Sequence, residues 1–365
     1  MIWLTWRQFR PQTITAAIAL AATAIVLAAT RPGLIASYTH AGLPACHAHC
    51  AAIASLFIDG VGSFDHILYF GSIALMYLAP ALIGLFWGAP LIAREVETGT
   101  HRIAWNQSVT STRWTLAKLG LVGLAAVATA GLLSLMVTWW ASPIDHAASL
   151  AGGSVQVAAG GGDGVHSSWY VLDRLEPVVF AARGVAPLGY AAFAFALGVT
   201  VGVLLRRTLP AMAVTLVAFA VIQVLVPNLV RPHLVPPAHV TAPLNVQTAS
   251  FQPAETVGSA VGEIRVTQNF TKPDAWVLSN IIITPSGAGL TVPPQACTFG
   301  AAGPDPAGLG DCKSALAAMH LRQYVTYQPA SRFWPLQWAE TGIYLVLAAG
   351  LGWVCVWQVR RRRAP

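Results

Sequence analysis

The chain has 365 residues, 55% of them hydrophobic and only 10% charged, with a mean hydropathy of +0.60. Soluble domains carry about 25% charged residues, so one or two water-soluble globular domains are excluded. The formal net charge of +7, from 21 Lys and Arg against 14 Asp and Glu, fits the basic loops of a polytopic membrane protein better than a nucleic-acid binder.

Residues 1–12, MIWLTWRQFRPQ, set Trp3, Trp6, Phe9 and Arg10 at helical spacing. They predict a short interfacial elbow helix that Pro11 ends or kinks, with a helical extension of the first span as the alternative. About 20 apolar residues are needed for a helix to cross roughly 30 Å of hydrocarbon. Six stretches qualify, near 13–30, 68–93, 116–141, 184–205, 208–227 and 339–357. Helices one to five thus fill 13–227. The first stretch reads as a span rather than a signal-peptide core, because no small-x-small cleavage site follows it. Outer loops are expected at 31–67 and 142–183. The second holds the Gly-rich run GGSVQVAAGGGDG, a flexible loop by composition.

Gly198 and Gly202 form a G-x-x-x-G in the fourth span, a close-packing signature. Residues 228–336 open with the Pro-rich PNLVRPHLVPPAHVTAP. Strand-like runs EIRVTQNF and AWVLSNIIIT follow, and SALAAMHLR predicts a helix. Residues 337–365 supply the sixth span and a basic tail. The expected fold is an all-α polytopic membrane protein with six transmembrane helices. A small α+β extracytoplasmic domain sits between helices five and six.

Six spans put both termini on one side. That side holds twelve basic residues, including Arg7, Arg10, Arg94, Arg206, Arg207 and Arg360 to Arg363, against Glu95 and Glu97 alone. The other side holds nine basic and twelve acidic residues. The positive-inside rule then makes the first side cytoplasmic and the chain a multi-pass plasma-membrane protein. Tryptophans band accordingly: Trp3, Trp6, Trp87, Trp105, Trp114, Trp353 and Trp357 near the inner interface, and Trp139, Trp140, Trp334 and Trp338 near the outer one.

Cys46, Cys50, Cys297 and Cys312 fall outside, where oxidising conditions permit disulfides. Closeness in sequence favours the pairs Cys46–Cys50 and Cys297–Cys312. In the run CHAHC, His47 and His49 make a metal site the lesser alternative.

The spans carry no Asp, Glu, Lys or Arg near their centres; Lys118 and Glu340 stand at span starts. A proton or sodium relay is therefore not expected. No Lys follows the glycines of a G-x-x-x-x-G-K-[ST] loop, so the chain has no P-loop of its own. It is not expected to be an enzyme, and any energy for transport must arrive through another protein at the cytoplasmic face. The one substantial cytoplasmic loop, 94–115, points to that contact. Arg94, Glu95, Glu97 and Arg102 surround Gly99 and Thr100, which break one helix and cap the next. HRIAWNQSV then reads as a short helix lying across the membrane face. Arg113 and Lys118 enter the third span.

The segment IAREVETGTHRIAWNQSVTSTRWTLAKLG resembles the signature region of type 2 ATP-binding-cassette (ABC) exporter permeases. LTWRQFR and VTYQPASRFWPLQWAETGIYL are similar to the actinobacterial branch of that family. The resemblance implies a separate nucleotide-binding ATPase subunit that holds ATP and magnesium, with no cofactor on this chain. It also implies a second permease copy, forming a homodimer, and a coupling helix after Gly99-Thr100. The coupling residues would be Arg94, Glu95, Glu97, Gly99, Thr100, Arg102, Arg113 and Lys118. The segment between spans five and six is large for the general family. Partners would be the ATPase, the second copy and membrane lipids, with no nucleic acid. The low charge of the spans suits a hydrophobic or amphiphilic substrate. The alternative is a membrane-anchored sensor or assembly protein whose extracytoplasmic domain binds a ligand.

Overall fold

The computed structural model describes residues 2–47, 50–97, 111–151, 155–159, 167–171, 173–247, 249–253, 264–268, 270, 272, 274–290, 297 and 306–361. In chain order its elements are α1 (Ile2–His40), α2 (Cys50–Gly60), α3 (Ser63–Ile83), a π-turn (Gly84–Gly88), α4 (Pro90–Glu97) and α5 (Ser111–Ala151). Strands β1 (Val155–Ala159) and β2 (Ser167–Val171) follow, then α6 (Pro177–Phe180), α7 (Ala186–Leu205), α8 (Thr208–Leu225), a second π-turn (Val226–Val230) and α9 (Arg231–Leu234). The remainder is β3 (Ala238–Pro243), β4 (Ser250–Pro253), β5 (Ile264–Thr267), β6 (Trp276–Ile283), α10 (Pro306–Ala318), β7 (Arg322–Gln328) and α11 (Phe333–Arg361). Two units result: Met1–Val235 with Ser331–Pro365, and Pro236–Ala330.

The first unit contains six helical stretches long and apolar enough to cross a membrane: Phe9–His40, Ser63–Glu95, Thr112–Ala151, Ala186–Leu205, Thr208–Leu234 and Ala330–Arg361. Several run further than hydropathy marks. α1 is one continuous helix through Pro11 and Pro32, so residues 2–12 are its first turns and not a separate elbow. Proline removes one backbone donor, a loss that long membrane helices tolerate. α5 continues ten residues beyond the expected end at 141. The Gly-rich run is also not wholly irregular. VQVAA forms β1 and pairs antiparallel with β2, Val155 opposite Val171 and Ala159 opposite Ser167.

α7 is the central helix of the bundle: 72% of its apolar window is buried, against 6–39% for the other five. Its glycines explain how closely it is approached. A Cβ built on Gly198 would stand 2.3 Å from the Gly84 carbonyl oxygen, and one on Gly88 would stand 2.6 Å from the Phe195 carbonyl oxygen. The G-x-x-x-G of α7 thus has a facing partner, Gly84 and Gly88 on the first π-turn, and the backbones meet directly.

The tryptophans of the two expected bands divide by exposure. Trp139, Trp334, Trp338 and Trp353 are exposed, as interfacial residues should be, but Trp87, Trp114 and Trp140 are buried. Trp140 donates its indole N–H to Thr30 Oγ1 at 2.9 Å, tying α5 to α1. These three rings are packing groups.

In the second unit β3, β7 and β6 form an antiparallel sheet with β7 in the middle, and β4 pairs with β5. The expected strands over EIRVTQNF and AWVLSNIIIT correspond to β5 and β6. The helix expected over SALAAMHLR ends at Ala318. His320 takes a left-handed φ of 46°, and Arg322 already begins β7. The structure joins Cys46 to Cys50 and Cys297 to Cys312, the two pairings favoured by closeness in sequence. The bond leaves neither sulfur of the CHAHC run as a thiolate ligand. The second disulfide packs with Val246, Leu316 and Leu321 in a small core, which a domain this small needs for stability.

Candidate functional site

The loop residues expected to couple to a partner begin on the last turn of α4. There Glu95 reaches Lys118 of α5 in an ion pair. Lys118 is only 3% exposed and sits 4.3 Å from the centre of the Trp114 ring. An ammonium in so apolar a setting requires a counterion, and Glu95 supplies it. Two residues on, Glu97 Oε2 accepts hydrogen bonds from the Thr208 hydroxyl at 2.6 Å and the Thr208 backbone N–H at 3.2 Å. It thereby satisfies one of the orphan donors at the start of α8. The two acids tie α4 to two different spans.

The hydrogen bonds from Thr208 hold the Glu97 carboxyl below its ordinary value of 4.5. A lowered folded value means that the stabilisation is complete above 4.5 and fades as pH falls through the folded value. Glu97→Ala should therefore melt below the wild type near neutral pH. The gap should close in acid, as followed by thermal unfolding of the detergent-solubilised protein across the pH range. A gap that persists unchanged in acid would show that the carboxylate is not the stabilising group.

These ties border a cleft of about 870 Å³, lined by Phe9 and Gln12 of α1, Phe86 and Trp87 of the π-turn, Lys118 of α5 and Met212 of α8, among others. Phe9 packs edge-on to Trp87 at 4.9 Å. Arg94 is exposed and lines the same cleft; Arg113 is exposed on the first turn of α5. At the end of α11, Arg360 Nε donates to Thr112 Oγ1 at 3.2 Å. Of the expected coupling residues, Arg94, Glu95, Glu97 and Lys118 line one cleft, and Arg113 is not among its lining residues. Gly99, Thr100 and Arg102, with the expected transverse helix, lie outside the described residues.

The opposite end of the bundle holds what residue patterns missed. Glu340 of α11 and Arg231 of α9 are both fully buried. Arg231 donates from Nε to Oε2 at 2.7 Å and from Nη2 to Oε1 at 2.9 Å. Tyr190 of α7 donates its hydroxyl to Oε1 at 2.6 Å, and Arg231 Nη1 donates to the Pro177 carbonyl at 3.1 Å. A second cluster repeats the chemistry. Arg183 Nε donates to Asp145 Oδ2 at 2.9 Å, and the Tyr69 hydroxyl donates to Asp145 Oδ1 at 3.0 Å. Between them Gln337 Oε1 accepts from the Val185 and Ala186 N–H groups at the start of α7, and its Nε2 donates to the Phe180 and Arg183 carbonyls. Residues 173–183, expected as outer loop, are largely built into the bundle. The only sequence signal was the presence of arginine and acid beside long apolar helices, with no spacing to pair them.

Six helices long and apolar enough to cross a membrane define a multi-pass helical membrane protein. The family model described as ABC-2 membrane transporter related matches residues 17–231, more than half of the chain, and the chain belongs to that family. Its permeases normally work with an ATPase subunit. The match runs from within the first span to within the fifth and stops short of the second unit. Neither the curated proteins nor the solved structures contain a match to this chain.

Proposed function

We propose that the chain is the membrane-spanning permease of an ABC exporter of the actinobacterial-like branch, moving a hydrophobic or amphiphilic substrate with energy from a separate ATPase subunit. Supporting this reading, Glu95 and Glu97 at the edge of the coupling loop are each engaged with a different transmembrane helix. A push on the loop would therefore reach the spans through two defined contacts. ATP and magnesium belong to the partner, and this chain performs no bond chemistry. Two copies form the path, their termini and the α4–α5 loop lie in the cytoplasm, and both disulfides, Cys46–Cys50 and Cys297–Cys312, lie on the extracytoplasmic side. The loop residues Gly99, Thr100, Arg102 and Arg113 complete the surface that meets the ATPase.

The test is affinity purification of the tagged chain from native membranes, followed by transport in proteoliposomes. A nucleotide-binding subunit and an untagged second copy should be recovered with it. Glu95→Lys should keep the assembly and its ATP hydrolysis but lower transport on the order of tenfold, a coupling energy of about 1–2 kcal/mol. The double reversal Glu95→Lys with Lys118→Glu should restore transport. Recovery of no ATPase, or normal transport by Glu95→Lys, would overturn the reading and favour a ligand-binding anchor protein.

A further inference from the structure

A groove on the face of the bundle away from the α4 cleft is distinct in chemistry from the rest of the apolar surface. It lies between α5, α7 and α11, with a volume of about 820 Å³, inside the range of about 300–1,000 Å³ of small-molecule sites. Its wall is almost entirely hydrocarbon: Leu116, Leu124, Val127, Phe195, Ala349 and Trp353 are typical. Along α5 it runs from Leu116 to Val127, about 16 Å at 1.5 Å per residue. That is the depth of one leaflet of a roughly 30 Å hydrocarbon core.

One end alone is charged. Arg360 lines it, and Arg361 follows, its guanidinium 4.3 Å above the Trp357 ring. Arg113, exposed, is adjacent in sequence to Thr112, the acceptor of the Arg360 hydrogen bond. Neither residues 111–127 nor residues 348–361 contain an acid, so nothing in these segments offsets the positive charge. Trp353 and Trp357 stack at 6.4 Å beside it, at the depth where indoles meet headgroups.

We propose that this groove binds an anionic glycerophospholipid of the leaflet on the side of the chain termini. One acyl chain lies between α5, α7 and α11, and the phosphate meets Arg360 and Arg361. An apolar slot one leaflet deep selects a lipid chain, and the guanidinium groups at its mouth, which no acid pairs among the described residues, select a negative headgroup. A second copy of the chain would bring its own basic end against these arginines, which disfavours a protein seam here.

The probe is phosphatidylglycerol against phosphatidylcholine with the same acyl chains, added to the full-length protein in detergent and counted by native mass spectrometry. Phosphatidylglycerol should be retained preferentially. Arg360→Gln should weaken its binding about fivefold, the effect expected of one basic residue near an anionic lipid, while Arg360→Lys should keep the preference. Gly352 and Gly120 line the slot and have no neighbour within 4 Å of an added Cβ. Gly352→Leu and Gly120→Leu should therefore fill the slot without disturbing the bundle and lower retention at least as much. Equal retention of both lipids, or retention unchanged in the Arg360→Gln and both leucine variants, would overturn the proposal. So would a disulfide-linked dimer formed by Gly352→Cys in membranes, since the groove would then be a seam between copies.

Discussion

Arg231→Ala should lower the stability of the solubilised protein by about 3–5 kcal/mol, the cost of leaving a buried charge without its partner. Glu340 would keep its place among Tyr190, Tyr344 and the other residues of this buried layer, but would lose both guanidinium hydrogen bonds. The Pro177 carbonyl would lose its donor as well. Glu340→Ala should cost a similar amount, because Arg231 would then be the stranded ion. Replacing both, as Arg231→Met with Glu340→Leu, should recover most of the loss, since hydrophobic residues of similar volume often substitute for a buried pair without penalty. Tyr190→Phe removes a hydroxyl that donates to Glu340 at 2.6 Å and accepts a long bond from Arg231 Nη2 at 3.5 Å, and should cost less, about 1.5–3 kcal/mol. Thermal melting of the four variants followed by size-exclusion fluorescence checks the ordering. A double variant as unstable as the sum of the single ones would contradict it, because coupled neighbours should not add.

Gly198→Ala is expected to be the most damaging single methyl addition in the bundle. The new Cβ would fall 2.3 Å from the Gly84 carbonyl oxygen and 2.8 Å from the Ala89 nitrogen. Both are backbone atoms of a packed helix, so no side chain can swing aside. Relief requires α7 to move away from the π-turn, which opens the contacts of the most buried helix in the unit. Overpacking of this kind costs about 1–3 kcal/mol or more. Gly350→Ala is the control, because an added Cβ there has nothing within 4 Å and gains helix propensity. Membrane expression and melting temperature should fall for Gly198→Ala and hold for Gly350→Ala. Equal behaviour of the two would mean that the backbones are not in contact.

The two ends of the bundle were unequally legible. Lys118 and Glu95 drew notice because they flank a loop in a chain with few charges, and the family resemblance set both in one motif. Their pairing needed the structure. Glu97 as a cap for α8 was not foreseeable, since Thr208 is 111 residues away. The Arg231–Glu340 and Arg183–Asp145 pairs, 109 and 38 residues apart, left no periodic trace. β7 was hidden for a different reason: its residues follow a helix directly, and only the left-handed turn at His320 separates them. β1 was masked by the glycines around VQVAA.

The amino-acid sequence by itself determined that this chain enters a membrane and offers six stretches to cross it, favoured the disulfide pairs that the structure joins, and marked the one charged loop between the second and third of those stretches. Those properties depend on hydropathy summed over about 20 adjacent residues, on cysteines close along the chain, and on local motif spacing. The tertiary structure decided which helix is central, how α7 meets the first π-turn and which acid neutralises which base. Those outcomes depend on contacts between backbones and ions far apart in sequence, and in a low-dielectric interior the position of a partner within a few ångströms decides whether a buried charge is tolerated.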